Sequence, residues 1–227
     1  MFALSSVLCL LVTLLLYVLV KYVHQRLKRW WSAPIFLVPV LLVSLLLLSG
    51  IPFSSYWQDT RYLTWLLGPA TVAFAVPIYQ QRALIRTNWI TLLAGVFTGI
   101  VIGVGSSVWL AHVFSLPETV VRSLAPRSVS TPFALASAAH LGANPQLVAI
   151  FVVITGVVGM SLGELLLLLF RVRSPLARGA LFGAAAHGAG TAKASEIGEE
   201  EGVVASLTMM LCGVAMVLLA PLIGALL

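Results

Sequence analysis

SLPETVVRSLAPRSVSTPFALASAAHLGANP, residues 115–145, is the stretch whose reading decides the fold. It is rich in small residues, broken by Pro117, Pro126, Pro132 and Pro145, and carries Arg122 and Arg127 among hydroxyls. Its surroundings are of another kind. The 227 residues are 60% apolar and 9% charged, against roughly a quarter charged in a soluble domain. With a mean hydropathy of +1.07 and Leu-rich runs of membrane length, most side chains have lipid or a membrane bundle as their solvent. The question is whether 115–145 crosses that membrane or enters it and returns.

Basic residues decide between the two. Apolar length and flanks predict spans near 2–20, 33–50, 62–80, 89–113, 146–170 and 203–227, each about the twenty residues that ~30 Å of hydrocarbon requires. Lys21, Arg26, Lys28 and Arg29 follow the first run, Arg82 and Arg86 the third, and Arg171, Arg173 and Arg178 the fifth. A single crossing by 115–145 would put the last group opposite the first, against the positive-inside rule. A segment that dips in and returns removes the conflict. The preferred topology has the N-terminus outside, the loops 21–31, 81–88 and 171–178 in the cytoplasm, and broken or re-entrant segments at 115–145 and 174–202. Eight full crossings is the competing arrangement. The fold class is thus an all-α integral membrane protein with about six full transmembrane helices and two broken segments. An N-terminal two-helix region covers 1–60 and a polar-segmented core covers 61–227. The first run has its positive charges after it rather than before it, so it reads as a retained helix and not a cleaved signal.

Several function classes are excluded. The formal charge of +6 punctuates apolar runs and forms no continuous patch, so it reports topology and not nucleic acid. Cys9 and Cys212 lie in apolar runs and read as free, buried thiols. There is no H-E-x-x-H, no Cys/His quartet, no G-x-G-x-x-G after a strand and no Walker sequence. Metal hydrolysis, dinucleotide chemistry and ATP-driven pumping lack their parts, so no enzyme, metal or cofactor is expected.

A faint internal repeat is visible. Shifting the chain by 57 positions lays Pro69 on Pro126, Val72 on Val129, and Thr98-Gly99 on Thr155-Gly156, without saying whether the copies are parallel or inverted. Broken helices in repeats are the anatomy of many secondary transporters, and they survive only buried in protein or lining a wet cavity. Gly95, Gly99 and Gly103, and likewise Gly159 and Gly163, recur on one helix face and predict close packing within the chain.

The chemistry is expected where polar residues interrupt apolar ones. In Arg127-Ser128-Val129-Ser130-Thr131-Pro132 a cation and three hydroxyls precede a proline that disfavours helix before it. A helix starting there would offer unpaired N–H groups to a carboxylate, with Ser130 or Thr131 beside them. A plain N-cap and an interfacial arginine explain the same residues. The second place is His187-Gly-Ala-Gly190-Thr191-Ala-Lys193-Ala-Ser195-Glu196. Glycines there permit close approach, and His187, Thr191 and Ser195 share one helical face. Lys193 is the natural cation, shared between a substrate and an ion pair with Glu196. A histidine at membrane depth is a proton carrier or anion donor by default, set against a hydrogen-bonded packing histidine. Glu164 interrupts an apolar run and reads as a proton-coupling candidate, with His187 and Glu196, or as the partner of Arg171. The substrate-binding set is therefore Arg127, Ser128, Ser130, Thr131, His187, Thr191 and Lys193. Glu199, Glu200 and Glu201 read as a solvated acidic cluster.

These motifs resemble the LrgB/CidB family of bacterial membrane proteins. The resemblance rests on Arg127-Ser-Val-Ser-Thr-Pro132, Leu141-Gly142, Pro145, Thr155-Gly156-Val-Val-Gly159, Ala177-Arg178-Gly179 and Ala186-His187-Gly-Ala-Gly190-Thr191-Ala192. Leu67-Gly-Pro-Ala-Thr-Val-Ala-Phe-Ala-Val-Pro-Ile-Tyr79 adds a first-half match, so coverage runs from about Gly68 to Leu227. The family more often has Lys at 127, Thr at 130 and Arg at 193, swaps that keep charge and hydroxyl. The resemblance implies a multi-pass protein of the bacterial cytoplasmic (inner) membrane, working with a small LrgA/CidA-type membrane partner in the lipid bilayer, with a homo-oligomer left open. For function it implies two classes. One is a carrier of short carboxylates such as pyruvate, lactate, glycolate or glycerate, like the related plastidial glycolate/glycerate carriers. The other is an antiholin- or holin-like regulator of murein hydrolase export and autolysis. Paired polar breaks inside a bundle favour the carrier.

Overall fold

The computed structural model describes residues 2–27 and 30–227, with the side chains of 2–7, Trp30 and Thr71 left aside. Lys28 and Arg29 of the basic loop 21–31 lie outside the described residues. Among those described, every regular element is helical. The chain groups into two compact units, Met1–Ala70 and Thr71–Leu227.

The first unit contains α1 (Phe2–Leu27), α2 (Pro34–Ser49), α3 (Phe53–Thr60) and α4 (Tyr62–Trp65), and α5 (Leu67–Ala73) carries the chain onward. Pro34 opens α2 at a position where its missing N–H costs nothing, and Gly50 closes it in the left-handed conformation. Side-chain bonds tie the unit together, with Thr13 Oγ1 against Tyr56 Oη at 3.2 Å and His24 Nδ1 against Ser32 Oγ at 2.8 Å.

The second unit holds α6 (Ala75–Gln80), α7 (Arg82–Thr87), α8 (Trp89–Val113), α9 (Glu118–Leu124), a 3-10 turn at Ala125–Ser128, α10 (Thr131–Leu141), α11 (Pro145–Leu169), α12 (Pro175–Ile197) and α13 (Glu199–Leu226). Among the described residues, five stretches are long and apolar enough to cross a membrane: Leu8–Leu27, Tyr62–Gln80, Trp89–Val113, Pro145–Leu169 and Glu199–Leu226. The second expected span, 33–50, is the 16-residue α2, about 24 Å long at 1.5 Å per residue and shorter than the hydrocarbon core. The third, Tyr62–Gln80, is segmented into short helices.

Glycines set the packing of the long helices. Along α8, Gly95 and Gly99 face Ala180 and Ala184 in ascending order; along α11, Gly156, Gly159 and Gly163 face His187, Ala186 and Phe182 in descending order. So α8 and α11 run antiparallel with the first arm of α12 between them. An added Cβ at Gly99 would come within 2.8 Å of Ala184 Cβ, and one at Gly159 within 2.6 Å of Ala186 Cβ, distances that no Cβ tolerates. The glycine stripes are intrachain seams, as their spacing predicts. Gly99 also faces Cys212, and α13 buries residues from Glu201 to Ala220 along its length, making it the centre of the unit.

The stretch 115–145 turns back. Arg122 on α9 donates to the Leu141 carbonyl at the end of α10 (3.2 Å) and to the Gly224 carbonyl of α13 (3.4 Å). The Asn144 N–H donates to Ser123 Oγ at 3.0 Å. The chain therefore enters along α9 and the 3-10 turn, reverses at Val129-Ser130, and returns along α10 to the level it left. Asn144 then starts α11, its Oδ1 accepting from the N–H groups of Gln146 and Leu147 with Pro145 at the first helical position.

The stretch 174–202 does the same from the other end. Within α12, His187 has φ 39° and ψ −124°, and the chain folds back there. Gly190 packs on the Phe182 carbonyl, and Ala194 shares a buried cluster with Phe182 and Leu167. Arm 175–186 goes in and arm 188–197 comes out. Because α8 and α11 are antiparallel and each is followed by its own hairpin, the two hairpins insert from opposite ends. Leu84 and Ile85 of α7 pack against the same cluster of Leu92, Ala180 and Val204 as Leu176, so the Arg82–Arg86 loop and the Arg171–Arg178 loop share one end, as the charge distribution requires.

The repeat is real and inverted. Starts of α8 and α11, starts of α9 and α12, and the breaks at Ser130 and His187 fall 56 or 57 residues apart. Thr98-Gly99 and Thr155-Gly156 are true mates. The Pro69–Pro126 and Val72–Val129 matches are not, because they equate a membrane run with a hairpin arm.

Candidate functional site

Both hairpin tips lie about ten residues, or roughly 15 Å, along the flanking helices from their ends. Gly103, midway along α8, meets Ser128 of the first tip, and Gly156, midway along α11, meets His187 of the second, while Thr155 beside it meets Arg127. The tips meet in one packed region: Val129 of the first hairpin belongs to the same core cluster as Val152, whose carbonyl accepts from His187 Nε2 at 3.0 Å.

Arg127 is half-buried at this depth. Its Nε donates to Ser107 Oγ at 2.5 Å and its Nη1 to Thr155 Oγ1 at 3.5 Å. Ion pairs among the described residues include Arg122–Glu118, Arg178–Glu201, Lys193–Glu164 and Lys193–Glu196, whereas Arg127 has no carboxylate partner among them. An arginine facing hydrocarbon there would cost at least about 2.5–3.5 kcal/mol, so its place is a wet or protein-covered cavity. Two clefts flank it. One of about 510 Å³ lies along α8 and includes Thr98, Gly103 and Ser128; the other, of about 340 Å³, lies along α11 and includes Phe151 and Thr155. Arg127 and Ala185 line both.

Ser130 stands at the N-cap of α10 in extended conformation but makes no side-chain cap bond. It is buried, and its Oγ has no hydrogen-bond partner. A buried hydroxyl without a partner is costly and marks a place where something else bonds. With Pro132 lacking an N–H, the start of α10 is a donor-bearing end next to that hydroxyl. Thr131 is half-buried beside it.

The second set is divided. His187 is buried in a notch that Gly156 leaves open, with an added Cβ at Gly156 only 2.8 Å from the ring's Cε1. The ring is packed and bonded, as the packing alternative holds. Its backbone occupies the region of a type II′ turn's first central residue, one that favours glycine and costs of order 1–3 kcal/mol for another residue. Beside it, Gly188 opens onto free space. Thr191 Oγ1 donates to the His187 carbonyl at 2.9 Å and lines a third cleft of about 520 Å³ with Gln81, Ser195 and Ser206.

Lys193 is not brought to Arg127. It sits on the returning arm with Nζ 3.0 Å from Glu164 and 3.2 Å from Glu196. Glu164 thus pairs with Lys193 and not with Arg171, because the hairpin returns along α11 at the level of Glu164. Glu201 is buried rather than solvated, pairing with Arg178 at 3.7 Å. Ser107 and Thr155, the two hydroxyls that hold Arg127, are absent from the sequence-derived set. Thr155 was legible as a repeat marker and within a family motif but not as a site residue, and Ser107 gave no signal.

Fold and site together define a polytopic α-helical membrane protein with an inverted pair of hairpins closing on a central arginine. A family model described as LrgB-like family matches residues 13–226, and the chain belongs to that family. It is similar to two proteins of Bacillus subtilis (strain 168). "Uncharacterized protein YwbG" is 36% identical over 216 residues, 95% of this chain and 96% of that one. "Uncharacterized protein YxaC" is 33% identical over 218 residues, 96% and 95% respectively. No solved structure matches the chain.

Proposed function

We propose that this protein is a carrier of short monocarboxylates, of the size of pyruvate, lactate, glycolate or glycerate, and not an enzyme. It works in the bacterial cytoplasmic membrane with a small LrgA/CidA-type partner. One observation carries the reading: a half-buried arginine between two oppositely inserted hairpins, held by hydroxyls and by no carboxylate. A planar guanidinium has five N–H donors, and those that Ser107 and Thr155 leave free match a carboxylate. The clefts beside it suit a small solute, and Ser128, Ser130 and Thr131 add hydroxyls at the tip. Helix breaks of this kind are tolerated in a membrane where they line such a site. His187 shapes the second tip. Proton coupling, with His187, Glu164 and Glu196 as the titratable groups, belongs to the same reading.

The test is uptake of labelled pyruvate, lactate, glycolate and glycerate into proteoliposomes, with and without the partner. Saturable flux of at least one acid is expected. Absence of flux in both preparations overturns the carrier and favours regulation of murein hydrolase export.

A further inference from the structure

The inverted repeat maps one cleft onto the other. Ala94, Thr98 and Ile102 of the larger are the 57-residue mates of Phe151, Thr155 and Gly159 of the smaller, and Arg127 lines both. The cation has no counterpart across the pseudo-two-fold, since its mate is Ala184. A single charge therefore stands between two equivalent threonines. In this structure Nη1 reaches only Thr155. The threonines differ in depth. Thr98 is nine residues from the start of α8, roughly 14 Å from the end that bears Arg82 and Arg86. Thr155 is fourteen residues from the end of α11, roughly 21 Å from that same end.

We propose that Thr98 and Thr155 are alternate hydroxyl partners of one Arg127-bound carboxylate, Thr98 when the site opens to the Arg82/Arg86 face and Thr155 when it opens to the opposite face. This rests on the carrier reading. In an inverted repeat the two access states exchange the roles of the halves, so a one-charge site keeps its cation and changes only the hydroxyl beside it. Both threonines are positioning residues for the anion, and the asymmetry in their depth assigns each to a face.

The test is sided transport in proteoliposomes of verified orientation, with the half-saturating concentration measured separately at each face. Thr98→Val should raise KM about tenfold or more at the Arg82/Arg86 face and leave it little changed at the other, and Thr155→Val should do the reverse. With no proton gradient imposed, kcat/KM must stay equal at both faces, so the opposite face shows the loss in kcat. Thr98→Ser and Thr155→Ser should restore wild-type values, because the hydroxyl and not the methyl is required. Wild-type flux with both KM values unchanged, or raised equally at both faces by each Val variant, overturns the pairing and leaves the carrier standing. Absence of wild-type flux overturns the carrier reading and the pairing with it.

Discussion

Gly156→Ala tests whether the second hairpin is built around its histidine. The added methyl would lie 2.8 Å from His187 Cε1, 3.3 Å from Nε2 and 3.3 Å from Ala189 Cβ, well inside the roughly 3.5–4.0 Å of optimal carbon contact. The ring cannot slide freely, because Nε2 is bonded to Val152 O at 3.0 Å and the backbone at φ 39° is already constrained. Overpacking costs about 1–3 kcal/mol, and displacing the ring loses a hydrogen bond worth about 0.5–1.5 kcal/mol. Against this, Ala is about 1 kcal/mol better than Gly inside a helix. The expected net loss is about 0.5–3.5 kcal/mol, which at about 2–4 °C per kcal/mol lowers Tm by several degrees. In a His187→Ala background the contacts with the ring are gone and only the 3.3 Å approach to Ala189 Cβ remains beside the helix gain, so the same substitution should cost clearly less or become neutral. Thermal unfolding of the four proteins of this cycle in one detergent measures the coupling. Equal destabilisation by Gly156→Ala in both backgrounds would refute the notch.

Three further outcomes are expected. Arg127→Gln should abolish or strongly weaken carboxylate uptake without loss of membrane insertion, and Arg127→Lys should recover only part of it, because one ammonium cannot reproduce a fork that serves Ser107, Thr155 and an anion together; measured uptake and affinity check both. Lys193→Gln should change substrate affinity less than threefold and stability by no more than about 1 kcal/mol, since its partners are the glutamates of partly exposed pairs; a large rise in KM would place Lys193 at the site after all. Single cysteines at Gln146 and Arg173 should label with a membrane-impermeant thiol reagent from opposite sides, and Leu116→Cys from the side of Gln146; labelling of Leu116→Cys and Gln146→Cys from opposite sides would refute the returning first hairpin.

Much of this protein was legible in the chain because the signals are local. Apolar length marks spans, since a membrane demands about twenty such residues whatever they later touch. Proline before a helix and small polar residues at 115–145 and 174–202 mark breaks, because they disturb only their own backbone. The distribution of arginines even implied that 115–145 returns. The direction of the repeat was not legible, since a 57-residue offset is the same number for parallel and inverted copies. Only the order in which glycines of α8 and α11 meet α12 decided it. The same limit explains the site. Lys193 and Arg127 look alike in sequence, but folding the second hairpin back along α11 brings Lys193 to Glu164, whereas Arg127 reaches mid-depth, where Ser107 and Thr155 offer hydroxyls and no carboxylate follows. His187 draws attention by residue type alone, and that its ring sits in the space Gly156 leaves open is a fact of the fold. The pair of Lys193 with Glu196 is legible within the helix, but Glu164 beside Lys193 and Ser107 and Thr155 beside Arg127 lie 20 to 29 positions away. Spacing within one helix carries no record of them, and tertiary contact alone decides.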